Sequence, residues 1–247
     1  MRKQFLLGIL VLVSAGSAAR AGLSANLLVN PGAELGTGFD AGSTVTGWTV
    51  GGTSNPGRDN GTFDGFTPHG GSFDFYGGSG GNGTLTQIAP LSGLDAGTLA
   101  LIDSGSETLN IDFFEQSLDQ GGPNDAGQVV VSFQDAEHGA LPGGYDSGLI
   151  AHTGGWQEVT GSAAVPSGTR FLTYEMLFTL RNGTDVDSFI DDAGLTVPLA
   201  SGGTGPGPGP GTPSAVPLPS ALSSSLVLAA FALLWRLRQR GTQRQRV

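Results

Sequence analysis

The chain has no cysteine, which excludes disulfides, thiolate metal ligands and thiol nucleophiles together. Charge is scarce as well, at 13% of 247 residues. Between residues 22 and 200 there is no lysine, and Arg58, Arg170 and Arg181 are the basic side chains. All 21 acidic residues lie between Glu34 and Asp192, so three arginines against 21 carboxylates leave that stretch at a formal −18. Such a surface repels phosphate backbones and excludes nucleic acid as a partner. It suits solubility and divalent cations. The middle of the chain also lacks a helical period sustained over 11 residues or more, the usual mark of an amphipathic helix. What is abundant is glycine: 43 residues, more than twice the usual share. Without a Gly-X-Y period this is not collagen, and glycine at that density disfavours a helical bundle.

Short apolar alternations broken by Gly, Asn, Asp and Pro predict strands. They fall at Asn26–Val29, Val45–Val50, Gly71–Tyr76, Thr84–Ile88, Thr98–Ile102, Thr108–Phe114, Gln128–Gln134, Trp156–Ala164, Arg170–Arg181 and Phe189–Val197. In Arg170–Arg181, for example, Leu172, Tyr174, Met176, Phe178 and Leu180 share one face. Strands at this spacing indicate an all-β, antiparallel sandwich or barrel. Residues 22–200 are read as one such domain. The polar stretch Ser54–Gly70 is long for a connection, as binding loops and mobile loops are.

Both ends read as targeting segments. Arg2 and Lys3 precede the apolar run Phe5–Val13 and then Ala19-Arg20-Ala21, the layout of a secretory signal peptide cut by signal peptidase. Residues 1–21 are assigned to it, with the mature chain starting at Gly22. Residues 201–215 form a Gly/Pro linker that includes an alternating Gly-Pro run, a composition that stays unpacked. Residues 216–247 carry Val216-Pro217-Leu218-Pro219, the apolar run Ala221–Trp235 and five arginines from Arg236 to Arg246. A helix over Ser220–Leu237 would rise about 27 Å, enough to cross a roughly 30 Å hydrocarbon core with some snorkelling. The arginines keep its end cytoplasmic by the positive-inside rule.

Linker, short proline motif, apolar helix and terminal arginines in that order resemble the PEP-CTERM sorting signal. The resemblance implies export in a Gram-negative bacterium, transient inner-membrane anchoring and processing by an exosortase-like membrane protease. Pro217-Leu218-Pro219 departs from the namesake Pro-Glu-Pro, and a plain C-terminal tail anchor remains the alternative.

The domain has its own resemblance. Asn26-Leu27-Leu28-Val29-Asn30-Pro31-Gly32-Ala33-Glu34, Gly47-Trp48, Gly154-Gly155-Trp156, Val165–Arg170 and Phe189-Ile190-Asp191-Asp192-Ala193-Gly194-Leu195 are similar to motifs of galactose-binding-like jelly rolls. That group includes many carbohydrate-binding modules. The likeness spans Asn26–Val197 and implies a jelly roll first, polysaccharide binding second.

Chemistry-bearing motifs are few. Gly77-Gly78-Ser79-Gly80-Gly81 matches G-x-S-x-G, and Gly78–Gly83 matches G-x-G-x-x-G. Both chemistries need a helix after the glycines, whereas a strand follows here. His69, His138 and His152 are isolated in sequence, so nothing points to a triad or a metal centre built on them. The chain is therefore read as a non-enzymatic surface or matrix protein. A carbohydrate-active hydrolase and a purely structural coat or biofilm protein are the alternatives. Trp48 and Trp156 read as core. Phe73, Phe75 and Tyr76, beside the long loop, are the candidate sugar platform. Asn60, Asn82 and Asn182 open Asn-Gly-Thr sequences that read as tight turns.

A structural calcium ion is expected between the first and last strands. Period-2 alternation places Asp191 on the core face with Phe189, Ala193, Leu195 and Val197, and Asp192 outside with Ile190 and Thr196. An inward carboxylate needs a cation or several donors, and protein cations are scarce here. Glu34 would supply the second carboxylate and loop carbonyls the remaining oxygens. Related jelly rolls hold calcium at the positions matching Glu34 and Asp191.

Overall fold

The computed structural model describes residues 22–40 and 42–200. The signal-peptide segment, the linker and the Val216-Pro217-Leu218-Pro219 tail lie outside the described residues. Among the described residues no helix is long and apolar enough to cross a membrane.

The elements in chain order are β1 (Gly22–Leu23), β2 (Gly36–Thr37), β3 (Thr44–Val45), β4 (Thr49–Gly52), β5 (Gly57–Asp59), β6 (Asp74–Tyr76) and β7 (Gly83–Pro90). Then come α1 (Ala96–Asp103), β8 (Thr108–Ser117), β9 (Ala126–Gln134), β10 (Ala140–Asp146), β11 (Gln157–Ala164), β12 (Phe171–Thr179), β13 (Ser188–Thr196) and β14 (Pro198–Leu199). Two five-stranded antiparallel sheets form a jelly-roll sandwich, the first ordered β10-β9-β12-β7-β4 and the second β11-β8-β13-β6-β5. Successive strands cross repeatedly from one sheet to the other, so neither sheet buries its inner face without its partner.

The alternation read from the sequence explains the core. Leu172, Tyr174, Met176 and Phe178 of β12 are fully buried against Leu109, Ile111 and Phe113 of β8 and the inward residues of β9 and β13. Trp48 belongs to this core: its ring meets Phe75 edge-on at 4.9 Å and Tyr174 at 5.9 Å, and its indole N–H donates to the Asn30 carbonyl at 3.1 Å.

Three sequence expectations fail locally. Thr98–Ile102 is not a strand but the middle of α1. Asp95 caps that helix, accepting from the Thr98 N–H at 3.0 Å, and side-chain caps of this kind decide short helices. Strand β10 was not expected, because Pro142, Gly143 and Gly144 interrupt its pattern. Asn26–Val29 is not a strand either. Asn26 clamps this segment to β13 instead: its Oδ1 accepts from the N–H groups of Leu28 and Leu195, and its Nδ2 donates to the Ala193 carbonyl.

Candidate functional site

The stretch Ser54–Gly70 begins with β5 and then lies across the outer face of the second sheet. Asp59 starts the crossing by accepting from the N–H groups of Gly61 and Phe63. Phe63 packs on Tyr76 at 4.7 Å and Phe66 on Phe189 at 5.3 Å. Further along, His69 stacks on Phe114 at 3.5 Å, and the Trp156 indole N–H donates to the Thr67 carbonyl. The loop is therefore pinned by aromatic contacts at both ends.

This arrangement corrects the expected sugar platform. Phe75 is fully buried between the sheets and Tyr76 fully buried under the loop, so neither offers a ring to solvent. Phe73 is half-buried and already carries the Arg58 guanidinium 3.8 Å above its ring. Trp156, read as core, is instead a half-buried residue at the edge of the second sheet's outer face.

The facing of β13 is also corrected. A bulge between Asp191 and Gly194 interrupts its pairing with β8, and Asp192 takes a left-handed φ of 47°. A bulge adds a residue and resets the alternation. Ile190 therefore joins the core with Ala193, Leu195 and Val197, while Phe189 and Asp191 face outward beneath the loop. Asp191 is buried nonetheless. Its Oδ2 accepts from the Gly70 N–H at 2.9 Å and its Oδ1 from the Asp192 N–H at 2.7 Å. Burial outweighs these donors and pushes its pKa up to about 7.

Glu34 reaches the same loop, its Oε1 accepting from the N–H groups of Ser72 at 2.8 Å and Phe73 at 3.1 Å. Gly70 and Gly71 allow both approaches: a Cβ at Gly71 would overlap the Glu34 carboxylate, and one at Gly70 the Asp192 carboxylate. Asp74 went unnoticed in the sequence. It pairs with Asp59 across β5 and β6. The β6–β13 register, with Phe189 opposite Tyr76 and Ile190 opposite Phe75, brings it beside Asp191 at the next position. Asp74 is fully buried and neither carboxylate oxygen has a hydrogen-bond partner. Burial, then the charges of Asp191 and Asp59, push its pKa up to about 9. Three buried carboxylates thus stand in a row across three strands. Among the described residues no three His, Cys, Asp or Glu side chains form a cluster arranged to hold a metal ion.

Among the described residues no such loop lies on the outer face of the first sheet. Thr49, Thr86, Glu175, Val130 and Asp146 form one row across its five strands, and Ile88, Thr173 and Ser132 the next. Beyond them Phe171 faces outward with His138 stacked on its ring at 4.1 Å. Next to Ser132, β10 bulges through Gly143 and Gly144, opening a shallow cavity of about 390 Å³ lined by Val130, Ser132, Tyr145 and Asp146. A Cβ at Gly144 would collide with the Val131 carbonyl. Asp146 takes hydrogen bonds from Gln128 and the Gly148 N–H, which hold its carboxyl below the usual range.

One histidine stands beside a buried acid. His152 Nδ1 lies 3.1 Å from Glu115 Oε2, while Ser117 and Ser188 both direct their hydroxyls at Glu115 Oε1. A triad needs the serine on the histidine. Here the serines sit on the acid, so the group is structural.

No protein-family model matches the chain, and no curated protein matches it. Solved structures do. TmCBM61 in complex with β-1,4-galactotriose matches at TM-score 0.45 and 18% identity, over 70% of this chain and 98% of that one. The CBM22-1 xylan-binding domain of Paenibacillus barcinonensis Xyn10C matches at 0.41 and 15%, over 74% and 100%. The enzymatically active domain of bacteriophage CBA120 tailspike protein 4 matches at 0.48 and 12%, over 70% of this chain, which spans 21% of that one. At these identities and TM-scores, all under 0.5, the likenesses decide nothing about fold, ligand or activity.

Proposed function

We propose that the chain is an exported, non-catalytic polysaccharide-binding protein of the cell surface or extracellular matrix, with the glycan lying along the outer face of the first sheet. The observation that carries this is the row of hydrogen-bonding side chains on that face, Thr49, Thr86, Glu175 and Asp146, with the outward Phe171–His138 pair two rows away along β12. Pyranose rings present hydroxyls at their edges and C–H groups on their faces. A polar strip flanked by an aromatic pair answers both. On a glycan array the full chain should retain a discrete set of polysaccharides. Phe171→Ala or Glu175→Gln should weaken retention about tenfold or more. Retention unaffected by either change would overturn the placement.

Export rests on the two terminal segments. Signal peptidase removes residues 1–21, and an exosortase-like protease acts near Val216-Pro217-Leu218-Pro219 after transient anchoring in the inner membrane. Intact-mass analysis of the surface form should find neither segment. Persistence of Arg236–Arg246 would reduce the tail to a plain anchor.

The domain also holds a structural calcium ion in this reading. Glu34 and Asp191 contribute carboxylates and the loop at Gly70–Phe73 contributes carbonyls, a set of hard oxygens suited to that cation. The orphaned, fully buried Asp74 beside Asp191 supports it, since such a carboxylate is costly without a nearby positive charge.

A further inference from the structure

The polysaccharide reading leaves a second surface unused, on the outer face of the second sheet where the covering loop ends. Trp156, His69 and Phe114 meet there. His69 stacks on Phe114 at 3.5 Å, and its ring stands edge-on to Trp156 at 6.1 Å. His69 covers Phe114, which leaves Trp156, half-buried on the sheet face, as the platform for the C–H face of a sugar or for a cation.

The surround of these rings is acidic. Asp192 accepts from His69 Nδ1 at 2.8 Å and its side chain is 44% exposed. Glu158 pairs with Phe114 across β11 and β8, and Asp112 pairs with Thr160 one row further on. Glu158 is exposed. Asp112 lies over Gly194, whose missing side chain makes room for its carboxylate. The domain's three arginines are engaged or placed elsewhere. Arg58 is buried, donating to the carbonyls of Glu34 and Gly38. Arg170 pairs with Asp103 at 2.8 Å, and Arg181 stands in the β12–β13 connection. No lysine exists between residues 22 and 200.

An aromatic face bordered by carboxylates, on which no lysine or arginine has been placed, complements one kind of glycan. We infer that the Trp156 face binds a polysaccharide bearing free amino groups, such as a polymer of glucosamine. Pyranose C–H faces would stack on Trp156, and the ammonium groups would meet Glu158, Asp112 and Asp192. A neutral or uronic-acid glycan gains nothing from those carboxylates, and a polyanion is repelled. This inference deepens the polysaccharide reading but uses the opposite face of the sandwich, so the two can be tested apart.

The experiment is calorimetric titration of the full chain with β-1,4-glucosamine oligomers and with their fully N-acetylated counterparts, at low and at physiological salt. The amine form should bind at least tenfold more tightly and weaken as salt rises. Trp156→Ala and the double change Glu158→Gln with Asp112→Asn should each weaken it about tenfold. Trp156→Phe, which keeps an aromatic face, should restore most of the affinity and shows that loss in the alanine variant is not misfolding. Leu23→Ala, an exposed change in the separate β1–β14 pair, should leave it unchanged. Equal binding of acetylated and free-amine oligomers overturns the inference, as does competition by polylysine of matched charge with no effect of Trp156→Ala. Binding of neutral glycans that depends on Phe171 but not on Trp156 overturns it while the polysaccharide reading stands. If no glycan binds by either face, both fall.

Discussion

Glu115 shows at one residue what a core carboxylate does to stability. It is fully buried near the end of β8, facing the inner side of the sandwich where Gly127 leaves it room. Two serine hydroxyls and the His152 N–H satisfy it, yet burial still pushes its pKa up to about 7. A carboxyl that binds its proton more tightly folded than unfolded stabilises the protonated native state. The contribution is complete below about pH 4.5 and is lost as pH rises through about 7. Asp187, pushed up to about 7 by burial and then by the nearby Asp64, acts in the same direction. Urea unfolding should therefore find the chain more stable at pH 5 than at pH 8, with about 2–3 kcal/mol of the difference due to Glu115. Glu115→Gln keeps the shape and cannot titrate, so it should flatten the pH dependence by about that amount. An unaltered slope in this variant would place the titrating group elsewhere. Nothing in the local sequence marks Glu115 as buried, because the alternation of β8 reads equally well with a polar residue at its end.

At the scale of elements, long alternating strands were legible and interrupted ones were not. β8, β9 and β12 carry strict period-2 patterns whose inward apolar members form the core. β10 carries Pro142-Gly143-Gly144 and pairs with β9 around a bulge, so tertiary pairing overrides a poor local pattern there. In β13 the bulge at Asp191 makes a single alternation wrong on one side of it. α1 was misread because Thr98-Leu99-Ala100-Leu101-Ile102 is apolar without a clear period, so the cap decides. Asp95 accepts from both the N–H and the hydroxyl of Thr98, and the same hydroxyl receives the Ala200 N–H at 2.9 Å. One short helix thus ties down the end of the domain. Asp95→Ala should lower stability, read as a fall in the thermal midpoint. Asp95→Asn, which preserves the acceptor, should cost much less. Equal effects of the two changes would count against the cap.

At the scale of the whole molecule, the sequence singled out Glu34 and Asp191, and both carboxylates accept from the stretch Gly70–Phe73. It did not reveal Asp74, whose role depends on the registers β5–β6 and β6–β13 rather than on any motif. Together these groups join three distant parts of the chain. Glu34 follows the first turn, Gly70–Phe73 ends the covering loop, and Asp191 lies in the last long strand. A cation bound there would have to be released before any of the three could come away. Calcium binding only the native state stabilises it by about 2.7 kcal/mol at a hundredfold excess over Kd. For a domain of this size, that is a rise of roughly 5–10 °C in the thermal midpoint. Melts of the full chain with millimolar calcium should show this rise and with chelator should lose it. Glu34→Gln and Asp191→Asn should each abolish the calcium-dependent part, whatever they do to the midpoint in chelator. Magnesium, which demands a tighter octahedral shell, should raise the midpoint much less. A midpoint that ignores calcium, or a calcium response that survives both substitutions, removes the ion from Glu34 and Asp191 and leaves Asp74 as a carboxyl kept neutral by burial and its acidic neighbours.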